Sequence, residues 1–320
     1  MASAVDWKDL RVVVTGGAGF LGSVLVNRLR TAGATVTAPR RRDYDLTDAQ
    51  AAARLFADTS PAIVFHLAAA VGGIGANRAN PGRFFYDNMA MGLNVVEGAR
   101  RYDRLHKLVI VGTTCSYPGE GPVPLREVDL WSGYPEATNA PYGVAKRALL
   151  VMAQGYRRQY GLRAIYLIPA NLYGPGDNFD PETSHVIPAL IKKCVDAVEQ
   201  GADEITAWGD GSPTREFLYV DDAARGIMLA GERYDDPEPI NLGTGEEISI
   251  RDLLTLIAEL TGFRGRIVWD RTMPGGQRRR RLDVTRAQVL LGYAAQAPLP
   301  EGLRQTIASY RASRGSRATT

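Results

Sequence analysis

The sequence predicts an α/β protein: a doubly wound parallel sheet followed by a smaller, mixed α/β C-terminal lobe. Three observations predict it. Short β-branched runs alternate with helix-period segments up to about residue 170, which is the signature of βαβ units and of a parallel sheet covered on both faces. A glycine-rich turn joins the first such run to the first helical segment. The chain has 320 residues, too many for one small core and suited to two unequal units.

The elements follow in order. RVVVT at 11–15 is a strand, and SVLVNRLRTAG after the glycine turn is a helix with Gly33 as its stop. ATVTA at 34–38 is a second strand, AAARLFAD a helix, and AIVFHLAA at 62–69 a buried strand. A long helix at 84–102, a strand at 107–113, a second long helix at 141–161 and a strand at 163–170 complete the alternation. Crossovers of this kind are right-handed, so a doubly wound topology is the economical one. Beyond residue 172 the pattern loosens. A helix is expected at 186–200, a strand and turn at ITAWGDG, strand into helix at FLYVDDAARGIMLAGE, and strand, loop and helix from INLGTG to LTGF. The tail SRGSRATT is expected to fray.

Composition narrows the function. Net charge is only +3 and the apolar fraction is 45%, which excludes the basic face of a nucleic-acid binder. Two cysteines, Cys115 and Cys194, fit a reducing compartment rather than a disulfide scaffold. The N-terminus lacks the apolar core of a signal peptide, and no apolar run approaches the ~20 residues of a membrane span. A cytoplasmic protein is expected. The three histidines lack metal-ligand spacing.

Gly16-Gly17-Ala18-Gly19-Phe20-Leu21-Gly22 carries the G-x-G-x-x-G spacing between strand and helix. Early glycines let the backbone approach a pyrophosphate, the last lets helix and strand pack closely, and the helix N-terminus offers N–H groups to the phosphates. This makes residues 1–172 a dinucleotide-binding Rossmann domain. It leaves 173–320 mainly as a substrate lobe, with segments around 216–245 returning to the first domain. Where an NAD site places a carboxylate, this chain has Pro39-Arg40-Arg41-Arg42. Guanidinium groups favour a 2′-phosphate, so NADP(H) is the expected cofactor, with Asp43 nearby leaving NAD(H) open. Asp45 is placed either to accept from the adenine amino group or to cap the next helix. Leu67 and Ala68, near the end of the third strand, are expected to bind the cofactor as well.

Tyr142 and Lys146 stand at i and i+4 on one helix face. A neighbouring ammonium is expected to lower the tyrosine pKa. The phenol can then exchange a proton with a sugar oxygen as hydride moves at the nicotinamide. Thr113 and Thr114 end the preceding strand, where their hydroxyls either hold a substrate carbonyl or make ordinary strand-end hydrogen bonds.

HLAAAVGGIGANRANP, VGTTCSYP, TNAPYGVAK, PANLYGPGDNF, SHVIPAL and WGDGSPTREFLYVDD together resemble the GDP-L-fucose synthase family, nearly end to end. That family couples 3,5-epimerisation to 4-keto reduction of GDP-4-keto-6-deoxy-mannose. The resemblance implies a reductase triad of Thr113, Tyr142 and Lys146, with threonine where the family usually has serine. It implies Cys115 and His185 as the acid/base pair of the epimerisation. A base can remove the acidic proton beside a ketone, and a second group then delivers one from the other face. A thiol near positive charge and an imidazole suit these tasks. The resemblance also places Asn171 and Leu172 at the cofactor and substrate, and Lys193, Trp208 and Arg215 at the nucleotide or its diphosphate. Trp208 would stack on a base, and Arg215 would hold a phosphate. Within Arg278 to Arg281 a contact to the diphosphate and a solvated face remain equal readings. Two features depart from the family: Ala18 stands where enterobacterial members carry arginine, and Pro274-Gly275-Gly276 where Pro-Asp-Gly is frequent.

The rival readings are an epimerase or dehydratase recycling bound NAD, a single-activity relative acting on another nucleotide sugar, and a non-catalytic protein on the same fold. Thr114 and Cys115 occupy the place of the Asp-Glu that dehydratases use, and an intact Tyr142 and Lys146 argue against a non-catalytic protein. By class analogy the two long helices form the seam of a homodimer.

Overall fold

In the computed structural model, which describes residues 5–272 and 277–317, six parallel strands form the central sheet. These are β1 (Arg11–Thr15), β2 (Thr35–Thr37), β3 (Ile63–His66), β4 (Lys107–Val111), β5 (Ala164–Pro169) and, much later in the chain, β10 (Ile240–Leu242). Their spatial order is β10-β5-β4-β3-β1-β2. The direction of winding reverses between β1 and β3, and ligands of open α/β sheets bind beyond the carboxyl ends at that point. Strands β3 and β4 are buried at every position, which explains their mainly apolar sequences, broken only at His66 and Lys107.

The crossovers are α1 (Phe20–Thr31), α2 (Ala49–Thr59), a short α3 (Ile74–Ala79) leading into α4 (Pro81–Arg101), and α5 (Ala140–Tyr160). Helix α2 starts where Asp48 accepts from the backbone N–H of Gln50 and Ala51, at 2.7 and 3.4 Å. Asp48, not Asp45, is therefore the cap. Asp45 instead accepts from the Thr47 N–H (3.0 Å) and hydroxyl (2.7 Å).

The remaining elements are β6 (Asn171–Tyr173), α6 (Val186–Gln200), β7 (Glu204–Trp208), β8 (Thr214–Arg215), β9 (Phe217–Tyr219), α7 (Val220–Arg233), β11 (Ile248–Ser249), α8 (Ile250–Thr261), β12 (Arg266–Asp270), β13 (Arg279–Arg280), α9 (Thr285–Leu291) and α10 (Leu299–Arg317). Helices α6, α8 and α10 bury Ile191, Leu254, Ile257, Leu303 and Ile307 in a second core. Each such side chain contributes roughly 1.5–3 kcal/mol of burial. Cys194 lies in that core, where burial pushes its thiol pKa up to about 12. The first core takes in Ile227, Ile240 and Leu242, and also Leu282, Ala287, Leu291 and Tyr293. The buried Glu216 joins these parts by accepting from the backbone N–H of Thr244 (2.6 Å), Gly245 (2.9 Å) and Leu282 (2.6 Å).

The tail departs from expectation: α10 continues through Arg317 rather than fraying from Ser313. Ala318–Thr320 and Pro274-Gly275-Gly276 lie outside the described residues. Among the described residues no helix is long and apolar enough to cross a membrane, and no cluster of His, Cys, Asp or Glu is arranged to hold a metal ion.

Candidate active site

A cleft of ≈ 3120 Å³ runs from the glycine turn, past the carboxyl ends of the sheet, to the second lobe. Its floor is built by close approach. Gly16 has φ +71°, and a Cβ there would sit 2.8 Å from the Ala68 nitrogen. A Cβ on Gly22 would lie 2.1 Å from the Gly16 carbonyl oxygen. Neither position accepts a side chain, so the backbone itself forms the cradle. Helix α1 begins at Gly19 without a side-chain cap, which leaves its first N–H groups to a ligand. Phe20, Leu21, Leu67 and Ala68 line the same end. These features fit a dinucleotide pyrophosphate.

The three arginines after β2 are sorted by the fold. Arg40 and Arg41 line the cleft, and Arg42 does not. Arg41 is drawn to Asp45 at 3.2 Å and Arg42 to Asp43 at 3.6 Å. Arg40 has no ion-pair partner among the described residues.

At the end of β4 the chain makes a single 3-10 turn at Thr114–Ser116. The Thr113 hydroxyl accepts from the Cys115 N–H at 3.1 Å, and Ser116 donates its hydroxyl to the Gly143 carbonyl at 3.0 Å. Gly143 is needed here, because a Cβ would lie 2.2 Å from the Cys115 carbonyl oxygen. The spacing Tyr-Gly-Val-Ala-Lys thus does two things: it aligns Tyr142 with Lys146 and lets α5 press onto the turn that carries Thr113 and Cys115.

Tyr142 and Lys146 are both buried. The structure corrects the expected pKa of the tyrosine. Burial, and then the nearby Cys115 and Tyr166, push it above its ordinary value, and Thr113 offsets only part of this. The Lys146 ammonium donates to the Val111 carbonyl at 3.3 Å. Burial brings Lys146 itself down to about 8.

His185 precedes α6, and its imidazole faces the cleft while surrounding protein lowers its pKa. Two contacts place it. Gly73 donates its N–H to the Thr183 carbonyl at 2.9 Å, and a Cβ on Gly73 would come within 2.6 Å of the Ser184 carbonyl oxygen. The VGGIGAN and SHVIPAL segments are thereby pressed together over the strand ends. Asn171 donates to the Glu216 carbonyl at 2.9 Å, beside Leu172 on β6.

In the outer lobe, Lys193 donates to the Thr206 carbonyl, and Trp208 is 62% exposed at the cleft wall. Arg215 donates to the Thr214 carbonyl at 2.7 Å, and burial lowers its pKa to about 10. Strands β8 and β13 align Arg215 with Arg280. Arg280 is buried and one of its terminal nitrogens has no hydrogen-bond partner among the described residues. Neither of these two guanidinium groups has a carboxylate partner among the described residues, whereas Arg279, opposite Thr214, pairs with Glu247. The arginine run was visible in sequence, but which member turns inward was set by the pairing of β13 with β8.

Cys115, His185, Thr113, Thr114 and Tyr142, with their thiol, imidazole and hydroxyl groups, all line one cleft. Such a set can move protons at a bound carbonyl compound. A model of the NAD dependent epimerase/dehydratase family matches residues 12–243. The chain is 41% identical over 310 residues to a probable GDP-L-fucose synthase of Oryza sativa subsp. japonica, covering 97% of this chain and 94% of that protein. It is 40% identical over 306 residues to the GDP-L-fucose synthase of Escherichia coli strain K12, covering 92% and 95%. Among solved structures, a GDP-L-fucose synthetase of Naegleria fowleri bound to NADP superposes with a TM-score of 0.90 at 27% identity, covering 99% and 98%. With both the cradle for a dinucleotide and the proton-transfer cluster in one cleft, the chain belongs to the GDP-L-fucose synthase family, within the NAD dependent epimerases and dehydratases.

Proposed function

We propose that the protein converts GDP-4-keto-6-deoxy-mannose to GDP-L-fucose with NADPH, inverting C3 and C5 and reducing C4. The single observation that carries this reading is the junction of Cys115 and Tyr142: the turn and helix that bear them are locked together at Gly143. Cys115 removes the proton beside the C4 carbonyl and His185 returns one from the opposite side. Thr113 and Tyr142 hydrogen-bond the C4 oxygen, and Tyr142 gives it a proton. Lys146 holds positive charge beneath the site. A dinucleotide held by its pyrophosphate along Gly16, Gly22 and Ala68 would supply the hydride from its nicotinamide. Arg215 and Arg280 hold the diphosphate, and Trp208 stacks on the base. We place the protein in the cytoplasm as a homodimer seated on α4 and α5. Exposed Phe85 and Leu93 on the first helix and Val151 on the second support that seam.

The test is to mix the purified protein with NADPH and fresh GDP-4-keto-6-deoxy-mannose, follow loss of NADPH absorbance and identify the sugar by NMR. GDP-L-fucose is expected. An unepimerised product would remove Cys115 and His185 from the reading, and no turnover with either NADPH or NADH would overturn it.

Cofactor choice rests on Arg40. Arg40→Glu is expected to raise the Kd for NADPH on the order of 10–100-fold, through lost attraction and new repulsion at the 2′-phosphate, with NADH affinity equal or better. Titration of cofactor fluorescence measures it, and an unchanged NADPH affinity would shift the role to Arg41.

The pH dependence follows from Lys146. In the free enzyme it is charged below about pH 8. The kcat/KM for reduction is expected to fall as pH rises through that value. Stability moves the other way. The unfolded chain binds this proton up to its ordinary 10.5, so stability gains from this group between about pH 8 and 10.5. A kcat/KM that stays flat through pH 9 would show that the ammonium is not the active form.

A further inference from the structure

Arg147 follows Lys146 and lies one helical turn beyond Gly143, on the face of α5 that meets the Thr114–Ser116 turn. Its guanidinium is spent wholly on backbone oxygens. The Nε donates to the Ser116 carbonyl at 2.9 Å, one terminal nitrogen donates to the same oxygen, and the other donates to the Gly133 carbonyl at 3.1 Å. The plane lies over Trp131, 5.3 Å from the ring centroid. Arg147 has no ion pair among the described residues, and burial lowers its pKa. A partly desolvated cation without a counter-charge is costly unless its donors are used, and here two of the three donating nitrogens meet on the Ser116 carbonyl while the third reaches Gly133.

We propose that Arg147 is a positioning residue for the epimerisation, a clamp that fixes Cys115 against the helix carrying Tyr142 and Lys146. This rests on the reading of Cys115 as the proton-removing group. Ser116 is tied twice to α5, once by its hydroxyl to Gly143 and once by its carbonyl to Arg147. The Cys115 and Ser116 N–H groups bond only within the turn, to Thr113, so the two ties of Ser116 are what set its direction against α5. Thr113 is anchored mainly by its place at the end of β4, with its hydroxyl touching the turn only at the Cys115 N–H, and Tyr142 and Lys146 stand on α5 itself. Loosening the clamp therefore misdirects the thiol more than the reducing groups. A misplacement of about 1 Å costs on the order of 100-fold in rate.

The experiment compares wild type, R147M, R147K and C115A on two rates. One is deuterium uptake from solvent at C3 and C5 of GDP-4-keto-6-deoxy-mannose without NADPH. The other is NADPH oxidation on the epimerised ketone, prepared beforehand with wild-type enzyme. R147M is expected to lower deuterium uptake roughly 10–100-fold with KM nearly unchanged, and reduction by less than about 3-fold. R147K is expected between R147M and wild type, because an ammonium can donate to one carbonyl but cannot form the fork. Uptake within about 3-fold of wild type in R147M, with C115A inactive, would overturn the clamp alone. Equal loss of both rates would also overturn it, by showing a general structural role. No uptake by wild type, or full uptake by C115A, would remove the reading of Cys115 and the clamp with it. If R147M does not fold, the same two rates on R147K decide the matter.

Discussion

Tyr142→Phe is expected to lower kcat for NADPH oxidation by roughly 10²–10⁴-fold, the usual contribution of a positioned general acid, with NADPH affinity unchanged. The geometry makes the phenol hard to replace. Tyr142 is buried at the first turn of α5, and burial holds its proton above the ordinary tyrosine range. At neutral pH it is therefore a protonated donor, the form that reduction of a ketone at C4 consumes. A water molecule taking its place would lack the fixed direction that α5 imposes. Phenylalanine keeps the ring and its packing, so cofactor fluorescence and thermal unfolding should match wild type. Loss of cofactor binding together with activity would indicate a collapsed site instead of a missing proton donor, and activity within about 10-fold of wild type would transfer the role to Thr113.

The second large effect is on carbon–hydrogen bond breaking. Cys115→Ala is expected to slow solvent deuterium uptake at C3 and C5 by roughly 10²–10⁴-fold. NADPH oxidation on the epimerised ketone should persist, because Thr113, Tyr142 and Lys146 are untouched. The thiol stands on a turn whose neighbours are fixed, Thr113 through the Cys115 N–H and Ser116 through α5, so a residue of similar size leaves the scaffold in place. His185→Asn provides the complementary result. If His185 returns the proton from the opposite side, deuterium still exchanges at the carbon that Cys115 serves, but inversion stops, and NMR sees labelled starting sugar. Full inversion in His185→Asn would assign the second proton to another group.

The legible part of this protein is the part governed by local rules. The glycine turn, the alternating strands and helices up to β5, and the Tyr142–Lys146 pair announce themselves because close approach, burial on both faces and i,i+4 spacing each demand particular residue types. Helix α6 was legible at its full length for the same reason. Helix α10 was missed, although Leu303, Ile307 and Tyr310 repeat at helical spacing and all are buried; a polar, arginine-rich outer face masked them. Strand β10 was readable as a strand, but only packing made it the sheet's edge beside β5.

Charge was the least legible property. Four consecutive arginines look alike in sequence, yet β-strand register alternates side chains between faces, so Arg279 meets Glu247 and Arg280 turns to Arg215. The three arginines after β2 are sorted in the same way by which neighbouring aspartates the loop brings near. The pKa of Tyr142 reversed direction because desolvation depends on the whole surrounding volume, which a five-residue motif does not contain. The sequence by itself determined the fold class, the dinucleotide cradle and the inventory of reactive groups. The tertiary structure alone decided which cations lack a counter-charge, which protons are held tightly and how the Cys115 turn is fastened, because each depends on contacts between residues far apart in the chain.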